Sequence, residues 1–434
     1  MKFLSLFTML VFTFQPSYAE EQNATEKAVE AAIVAAVNED LPVALASLEK
    51  AVNINSGTMN FKGVKAVGAH FKAELEALGF AVKLTDGSAY GRAGHLVASY
   101  GTKGPKIFMI GHLDTVFAKD DSFQRFETVD DSHIAGPGIT DMKGGDVIMI
   151  AALRALKKQG LLDDLSIKIV MTGDEERSGR PLALSKKALV DAAHWADIAL
   201  GFEDGDGSIK TAVTSRRGSV SWTLDVTGRP AHSSQVFKEG YGYGAIYEAS
   251  RILNSFRQEL SSVKNLTFNP GMIIGGTRIN FDKTKASGDA YGKSNVIAKT
   301  LKVTGDIRAL SPEQLANAKQ VMQTIVSNNL ADTSAKLVFE EGYPPMAPTA
   351  GNARLLAIYS DISQGLGYGE VLAVNPRNAG AADISFAADY VDMSMDGLGL
   401  MGEGGHTNDE VADITSLAKN IQKVAILMYR LSKE

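Results

Sequence analysis

Cysteine is absent from this chain of 434 residues, histidine occurs seven times and tryptophan only twice. Without cysteine there is no disulfide, no thiolate ligand and no cysteine nucleophile, so any metal ion must be held by oxygen and nitrogen atoms. A basic excess is also missing, because 44 lysines and arginines face 50 acidic residues and the net charge is -6. The charge balance therefore argues against nucleic acid as a partner.

The first nineteen residues differ in composition from the rest of the chain. Lys2 precedes an apolar stretch over residues 3–14, and small side chains follow at Ser17 and Ala19. This pattern is typical of a secretory signal peptide that is cut after Ala19. An uncleaved membrane anchor is the alternative, but the stretch is short for one. We expect a soluble, secreted or periplasmic mature chain with no later segment long and apolar enough to span a membrane.

The length of the chain favours two domains. After helical apolar spacing near the amino terminus, predicted strands and helices alternate, which indicates an α/β layer structure. From about Thr214 the apolar residues alternate with period two, which is typical of half-exposed strands, and two helical stretches lie between them. We therefore predict a smaller α+β domain of residues 214–343, inserted into a first domain that comprises residues 20–213 and 344–434.

Three short apolar runs, each typical of a buried strand, end in groups of carboxylate and imidazole side chains. These groups are His112 with Asp114, Asp174 with Glu175 and Glu176, and Glu203 with Asp204. In sheets that are buried on both faces, ligands gather at the carboxyl ends of the strands. Taken alone, each group could instead be a solvated turn or a surface loop.

Two further candidates lie outside these strands. Asp141 precedes a predicted helix and could be merely its cap, whereas His406 stands in a glycine-rich loop that offers no apolar face to bury an imidazole. Two metal ions about 3.5–4 Å apart need a bridging carboxylate with further ligands on each side, and such pairs activate water for hydrolysis. The residues that could supply this centre are His112, Asp141, Glu176, Glu203 and His406.

The motifs around these residues resemble a known family. They are HLDTV at residues 112–116, GITDMKGG at 138–145, GDEE at 173–176 and GHT at 405–407. Their order and spacing are similar to those of the co-catalytic zinc peptidases that include glutamate carboxypeptidase, aminoacylase and bacterial di- and tripeptidases. The resemblance extends over nearly the whole mature chain. It implies a catalytic domain with a mixed central sheet flanked by helices, and an inserted lid and dimerisation domain.

The resemblance also implies a role for each site residue. Two Zn²⁺ ions per subunit would be bridged by Asp141, with His112 and Glu203 on one ion and Glu176 and His406 on the other. Co²⁺ or Mn²⁺ could occupy the same ligands. Glu175 would be the general base that takes a proton from the metal-bridged water, and Asp114 would orient His112. A cis peptide bond between Asp141 and Met142 is implied as well.

The inserted domain carries further similarities to the family. His232, in GRPAHS at residues 228–233, resembles a lid histidine that reaches the reaction centre of the neighbouring subunit, which implies a homodimer formed through this domain. Asn295 and Arg308 resemble residues that hold the terminal carboxylate of the substrate, a task that suits the forked guanidinium group. Without the resemblance, His232 could be merely exposed and Arg308 could pair with a nearby carboxylate.

Together, the predicted signal peptide and the resemblance imply an exported exopeptidase, glutamate carboxypeptidase-like, that hydrolyses the amide bond to a carboxyl-terminal amino acid, acting on a small peptide or an N-acyl amino acid. An N-acyl amino acid deacylase or a dipeptidase could use the same site, and a peptide-binding protein without catalysis is a more remote alternative. Ala298 stands where the family commonly has proline, and the segment before Asp383 has alanine in place of a hydroxyl residue. Asp204 could compete with Glu203 as a ligand.

Overall fold

The computed structural model describes residues 18–433, with side chains from residue 24 onward. Residues 1–17, most of the predicted signal peptide, lie outside the described residues. The helices are α1 (Tyr18–Val52), α2 (Phe61–Ala77), α3 (Gly144–Lys158), α4 (Leu182–Ser185), α5 (Lys187–Ala193), α6 (Gly244–Leu260), α7 (Pro312–Ser327), α8 (Ala350–Gly365) and α9 (Thr415–Leu431).

The strands fall into a larger central sheet, a second sheet of four strands and several small ones. In the first half of the chain they are β1 (Ala81–Leu84), β2 (Leu96–Tyr100), β3 (Lys106–His112), β4 (Glu127–Thr128), β5 (His133–Ala135), β6 (Ser166–Thr172), β7 (Ile198–Gly201), β8 (Thr211–Ala212) and β9 (Ser219–Gly228). In the second half they are β10 (Thr267–Gly276), β11 (Arg278–Asp282), β12 (Ser287–Tyr291), β13 (Thr300–Arg308), β14 (Thr333–Tyr343), β15 (Leu372–Ala373), β16 (Met393–Met395), β17 (Gly402–Glu403) and β18 (Val411–Asp413).

The central sheet has the strand order β1-β2-β6-β3-β7-β16. Strand β3 pairs in parallel with β6 and β7, and β7 pairs in parallel with β16, whereas β1 and β2 are antiparallel to their neighbours. The sheet is therefore mixed, and the predicted α/β fold class is confirmed. Alternate residues of β3 enter different apolar clusters: Ile107 and Met109 pack with α3 and α9, and Phe108 and Ile110 pack on the other face.

Residues 214–343, the predicted insertion and hereafter the inserted segment, contain a second, antiparallel sheet with the order β10-β13-β9-β14. Its apolar face packs against α6 and α7, and Trp222 meets Phe256 edge to face at 6.1 Å between ring centroids. The chain enters and leaves this segment side by side, since the backbones of Arg216 and Met346 exchange two hydrogen bonds of 2.9 Å. The two connecting segments are thus paired through a short antiparallel bridge.

One helix departs from the expectation that no segment beyond the leader could span a membrane. Residues Ala24–Val52 of α1 are long and apolar enough to do so by length and composition, with a mean hydropathy of 1.5 and a third of the best window buried. Side chains such as Ile33, Val37 and Leu48 belong to the core beside α3 and α9. Valine, leucine and isoleucine, together with alanine, give this helix its high hydropathy, although one face packs against the protein.

Candidate metal centre

The topology of the central sheet brings the three predicted groups to one edge. His112 is the last residue of β3, Glu175 and Glu176 follow β6, and Glu203 follows β7. These strands are parallel and in register, with His112 opposite Thr172 and Ile110 opposite Gly201, so their carboxyl ends coincide. The fold therefore places the acidic and imidazole side chains in a common region.

Two groups of potential ligand atoms meet at Asp141. Nε2 of His112 lies 3.0 Å from Oδ1 of Asp141 and 3.7 Å from Oε1 of Glu203. On the other side, Nε2 of His406 lies 2.8 Å from Oδ2 of Asp141 and 3.3 Å from Oε2 of Glu176. Within each group of three residues, the ligand atoms are all within 4.8 Å of one another. One carboxylate thus offers one oxygen to each group.

The charges of this cluster are those of a cation site. No lysine or arginine among the described residues forms an ion pair with Asp141, Glu176 or Glu203, and Oε1 of Glu176 is buried without a hydrogen-bond partner. Hydrogen bonds to Asp141 and Glu176 raise the pKa of His406 to about 11. Burial, together with the charge of Asp141, raises the pKa of Glu203 well above its usual value. Oxygen and imidazole donors with an excess of negative charge fit two divalent metal ions.

The imidazole of His112 lies against Asp114, closer to its backbone carbonyl than to its carboxylate. Its Nδ1 lies 2.9 Å from the main-chain carbonyl of Asp114, and 3.7 Å from the carboxylate Oδ1 of the same residue. Because a carbonyl only accepts, Nδ1 carries the proton and the lone pair of Nε2 faces Asp141 and Glu203.

The carboxylate of Asp114 instead supports the turn that carries the predicted base. It accepts hydrogen bonds from the backbone N–H of Glu175 at 3.0 Å and of Glu176 at 3.3 Å, and from the hydroxyl of Thr58 at 2.6 Å. These buried N–H groups lie beyond the end of β6 and need an acceptor. Asp114 thus fixes the backbone on which Glu175 and Glu176 are mounted.

Asp141 is held by a residue that the sequence analysis did not select. The buried carboxylate of Glu410 accepts hydrogen bonds from the backbone N–H of Gly138 at 2.8 Å, Thr140 at 2.9 Å and Asp141 at 3.2 Å. The cis peptide bond between Asp141 and Met142 is present. Glu410 lies four residues after His406, in the same polar loop, and that position was the available signal.

The surroundings of Glu175 contain Lys186 and Tyr343, which the sequence analysis did not select, together with Asp174 and Asp383. Nζ of buried Lys186 lies 2.9 Å from Oδ1 of Asp383 and 3.2 Å from Oδ1 of Asp174. The Tyr343 hydroxyl donates to the carbonyl of Glu175 at 2.9 Å. Burial and the charge of Asp383 raise the pKa of Glu175 well above its usual value. A carboxyl group with a raised pKa is better matched to proton transfer near neutral pH.

Replacing Lys186 by methionine is expected to destabilise the protein by about 3–5 kcal/mol, because Asp174 and Asp383 then lose their buried cation. Equilibrium unfolding in urea, followed by circular dichroism, measures this loss. Lys187→Met is the matched control, since the neighbouring lysine is exposed and pairs with Asp191, which is also exposed. Its cost should stay within about 1 kcal/mol. Equal effects of the two variants would contradict a structural role for the buried ion pairs.

Glu203 and Asp204 differ in their surroundings. Glu203 joins His112 and Asp141 in one group of ligand atoms, whereas Asp204 is in neither group. The backbone N–H of Glu203 donates to Oδ1 of Asp396 at 3.2 Å, and Oδ2 of Asp396 lies 2.9 Å from Nη2 of buried Arg216. The ion pair therefore links Glu203 to the connection between the inserted segment and the central sheet.

The three residues predicted in the inserted segment lie apart from this cluster. His232 is exposed, and its Nδ1 lies 2.9 Å from the hydroxyl of Ser234. Asn295 is exposed nearby, where its carbonyl accepts the N–H of Ser233, and Arg308 pairs with Asp306 at 3.0 Å. Among residues 24–433, no hydrogen bond or ion pair joins His232, Asn295 or Arg308 to the candidate ligands.

Comparison with known proteins agrees with the family resemblance predicted from the sequence. The profile of peptidase family M20/M25/M40 matches residues 108–430. Carboxypeptidase G2 of Pseudomonas sp. (strain RS-16) is 26% identical over 403 residues, which are 91% of each chain. Succinyl-diaminopimelate desuccinylase of Bradyrhizobium sp. (strain ORS 278) is 29% identical over 269 residues, 57% of this chain and 67% of that one. The crystal structure of aminopeptidase PepT from Bacillus cereus ATCC 10987 aligns with a TM-score of 0.70 and 19% identity over 89% of this chain and 98% of that one.

The mixed sheet, the cluster of carboxylates and imidazoles at its edge and the family match together define a metal-dependent hydrolase. The chain belongs to peptidase family M20/M25/M40, because the profile covers well over half of its length. The predicted family resemblance is confirmed, and the protein is a metallo-hydrolase that acts on amide bonds.

Proposed function

We propose that this protein is an exported dinuclear metallopeptidase that removes a carboxyl-terminal amino acid from a small peptide or an N-acyl amino acid. The observation that carries the proposal is the position of Asp141, whose two oxygens face His112 at 3.0 Å and His406 at 2.8 Å. The similarity to carboxypeptidase G2 over 91% of both chains supports the direction of cleavage. The signal peptide predicted for residues 1–19 supports a secreted or periplasmic location.

The candidate ligands divide into a shared carboxylate and two pairs. Asp141 would bridge two Zn²⁺ ions, or Co²⁺ or Mn²⁺, with His112 and Glu203 on one side and Glu176 and His406 on the other. When bound, the ions would polarise the scissile carbonyl and lower the pKa of the attacking water. These five side chains would hold the ions, and the hydrogen bonds from backbone N–H groups to Asp114 and Glu410 keep two of the loops in position.

Glu175 is the proposed proton carrier of the reaction. Its carboxylate accepts a proton from the water that attacks the scissile carbonyl and then delivers this proton to the nitrogen of the leaving amine. Bonds from its backbone to Asp114 and from Tyr343 to its carbonyl fix the turn without occupying the carboxylate. The side chain is therefore free to exchange the proton.

Residues of the inserted segment would bind the substrate and complete the site. Arg308 and Asn295 are proposed to hold the terminal carboxylate, and His232 of the partner subunit to stabilise the oxyanion. A homodimer through this segment is supported by its exposed apolar side chains, among them Phe237, Ile246 and Tyr247, each more than half exposed. Movement of the segment about its double-stranded connection would close the site over substrate.

A second candidate function is that of an N-acyl amino acid deacylase on the same site. The similarity to a succinyl-diaminopimelate desuccinylase over 67% of that chain favours it specifically. In both reactions one amide bond is hydrolysed and a free amino acid is released, so the two candidates differ only in the group on the acyl side.

A panel of four compounds tests the proposal with the purified, metal-loaded protein: N-acetyl-Ala-Glu, N-acetyl-Glu, Ala-Glu and N-acetyl-Ala-Glu amide. Chromatography measures free glutamate from the first three compounds and glutamic acid α-amide from the fourth, because cleavage of its Ala-Glu bond releases that amide. We expect release from N-acetyl-Ala-Glu but not from its amide, because the amide lacks the terminal carboxylate. Release from N-acetyl-Glu alone would identify a deacylase, and release from Ala-Glu alone a dipeptidase. Cleavage of the amide at the same rate as the free acid would overturn the carboxypeptidase assignment.

A further inference from the structure

The exit of the inserted segment is seated on the turn that carries the proposed base. This turn, residues 173–180 and hereafter the base turn, follows β6. The hydroxyl of Tyr343, the last residue of β14, donates to the carbonyl of Glu175 at 2.9 Å. The guanidinium group of Arg180 donates from Nη1 to the carbonyl of Glu341, also on β14, at 3.0 Å. Two hydrogen bonds, one in each direction, thus join the inserted segment to the base turn.

Tyr343 lies between the two parts of the chain. Its backbone belongs to the sheet of the inserted segment, where it is opposite Ser219 of β9, and the bridge between Arg216 and Met346 follows three residues later. Its ring reaches the other part, where the ring of Phe386 lies 5.0 Å away between centroids. A rotation of the segment about that bridge therefore moves the hydroxyl relative to the base turn. Because a hydrogen bond weakens steeply with distance and angle, even a small movement changes this contact.

The peptide group between Glu175 and Glu176 is held from two sides. Its N–H, which belongs to Glu176, lies 3.3 Å from the carboxylate of Asp114, whereas its carbonyl accepts the Tyr343 hydroxyl at 2.9 Å. The longer bond goes to the loop after β3, and the shorter one comes from the inserted segment. Since this peptide group joins the proposed base to a candidate metal ligand, its orientation determines where the carboxylate of the base is placed.

We infer that Tyr343 is a positioning residue that transmits the orientation of the inserted segment to Glu175. While the end of β14 is seated, the carboxylate of Glu175 is held for proton transfer, and an orientation that lifts β14 leaves the base misplaced. The Tyr343 hydroxyl also accepts from the hydroxyl of Ser178 at 3.4 Å, so its role requires no contact with substrate. The inference rests on the proposed function, because that function makes Glu175 the base. The segment proposed to bind the terminal carboxylate of the substrate thereby also governs the proton carrier.

Tyr343→Phe tests this role because it removes the hydroxyl and keeps the ring. The contacts of the ring with Phe386 and with Nζ of Lys186, 5.4 Å from its centroid, should remain. We expect kcat on the best substrate of the panel to fall by about tenfold, because a small misplacement of a catalytic group slows the chemical step. KM should stay within about twofold of the wild type, and the metal content should be unchanged. Steady-state kinetics and elemental analysis measure these values. An unchanged kcat, or a change confined to KM, would overturn the inference.

Hydrogen exchange followed by mass spectrometry tests the transmission without turnover. The amides of the base turn should exchange about tenfold faster in Tyr343→Phe than in the wild type. Glutamate, which carries the terminal carboxylate that Arg308 and Asn295 are proposed to bind, should slow this exchange in the wild type but not in the variant. Equal exchange in the two proteins, or an equal effect of glutamate on both, would overturn the inference. If no compound of the panel is hydrolysed, the proposed function fails, and the exchange rates alone decide whether Tyr343 holds the turn.

Tyr390→Phe is the matched control, because Tyr390 is 48% exposed and lies outside the inserted segment. It loses the same hydroxyl and should leave kcat, KM and the exchange of the base turn unchanged. Arg180→Met removes the second bond, to the carbonyl of Glu341, and should lower kcat by less than Tyr343→Phe does, because this bond is exposed. Circular dichroism checks the fold of each variant.

Discussion

Glu175→Gln should lower kcat by about 10²–10⁴-fold while the protein keeps its metal ions, since a glutamine cannot accept the proton of the attacking water. The substitution preserves the size of the side chain. It also preserves the backbone bonds to Asp114 and Tyr343, so the turn should keep its conformation. The loss should therefore appear in kcat and leave KM nearly unchanged. Steady-state kinetics on the best substrate of the panel, with metal content measured on the same sample, checks this result.

Glu259→Gln is the control for this experiment, because Glu259 is an exposed glutamate on α6 and undergoes the same chemical change. It should behave as the wild type. A Glu175→Gln protein that retains wild-type kcat would show that another group carries the proton. A variant that loses its metal together with its activity would point to Glu175 as a ligand and not as the base.

Asp141→Asn should remove both metal ions, whereas His406→Ala should remove the ion on one side. The reason is geometric: the oxygens of Asp141 face both histidines, whereas the ion-pair partners of His406 among the described residues are Asp141 and Glu176. Asparagine keeps one oxygen and loses the negative charge that a shared ligand needs. After dialysis, elemental analysis should give two ions per subunit for the wild type, none for Asp141→Asn and one for His406→Ala. Activity should be abolished in both variants.

Two neighbouring aspartates serve as controls for the metal measurement. Asp409→Asn changes an exposed residue of the His406 loop and should retain both ions. Asp204→Asn should also retain both, because Glu203 and not Asp204 belongs to the group of ligand atoms around His112. Loss of an ion from Asp204→Asn would reverse that assignment, and two ions retained by Asp141→Asn would contradict a shared carboxylate.

The strands that position the candidate metal centre could be predicted from the sequence, because a buried parallel strand is recognisable as a short apolar run. The apolar runs before His112, Asp174 and Glu203 could be identified as strands, and the carboxyl ends of parallel strands meet at one edge. His406 could be named as a candidate because its glycine-rich loop offers no apolar face for an imidazole, but no local pattern connects that loop to β3. Its position became clear only in the folded chain.

Other features could not be predicted, for physical reasons. Strand β10 contains Pro270 and several glycines and has few buried side chains, so neither propensity nor alternation indicated it. Lys186 and Glu410 are charged residues, which sequence reasoning places at the surface. Each is buried because its partners come from distant parts of the chain, such as Asp383 for Lys186. Such partnerships are invisible until the tertiary structure is known.

Helix α9 has a consequence for the order in which the protein can fold during synthesis. It packs against α1, α3 and α8, so the core beneath the central sheet needs residues 415–431, which the ribosome adds after the entire inserted segment. That segment has an apolar cluster of its own and can acquire structure earlier. Until residues 415–431 have been synthesised, the apolar surfaces of the amino-terminal half that pack against α9 remain exposed. A nascent chain stalled before residue 415 should therefore be bound by chaperones or attacked by proteases at α1 and α3, although its inserted segment is already compact.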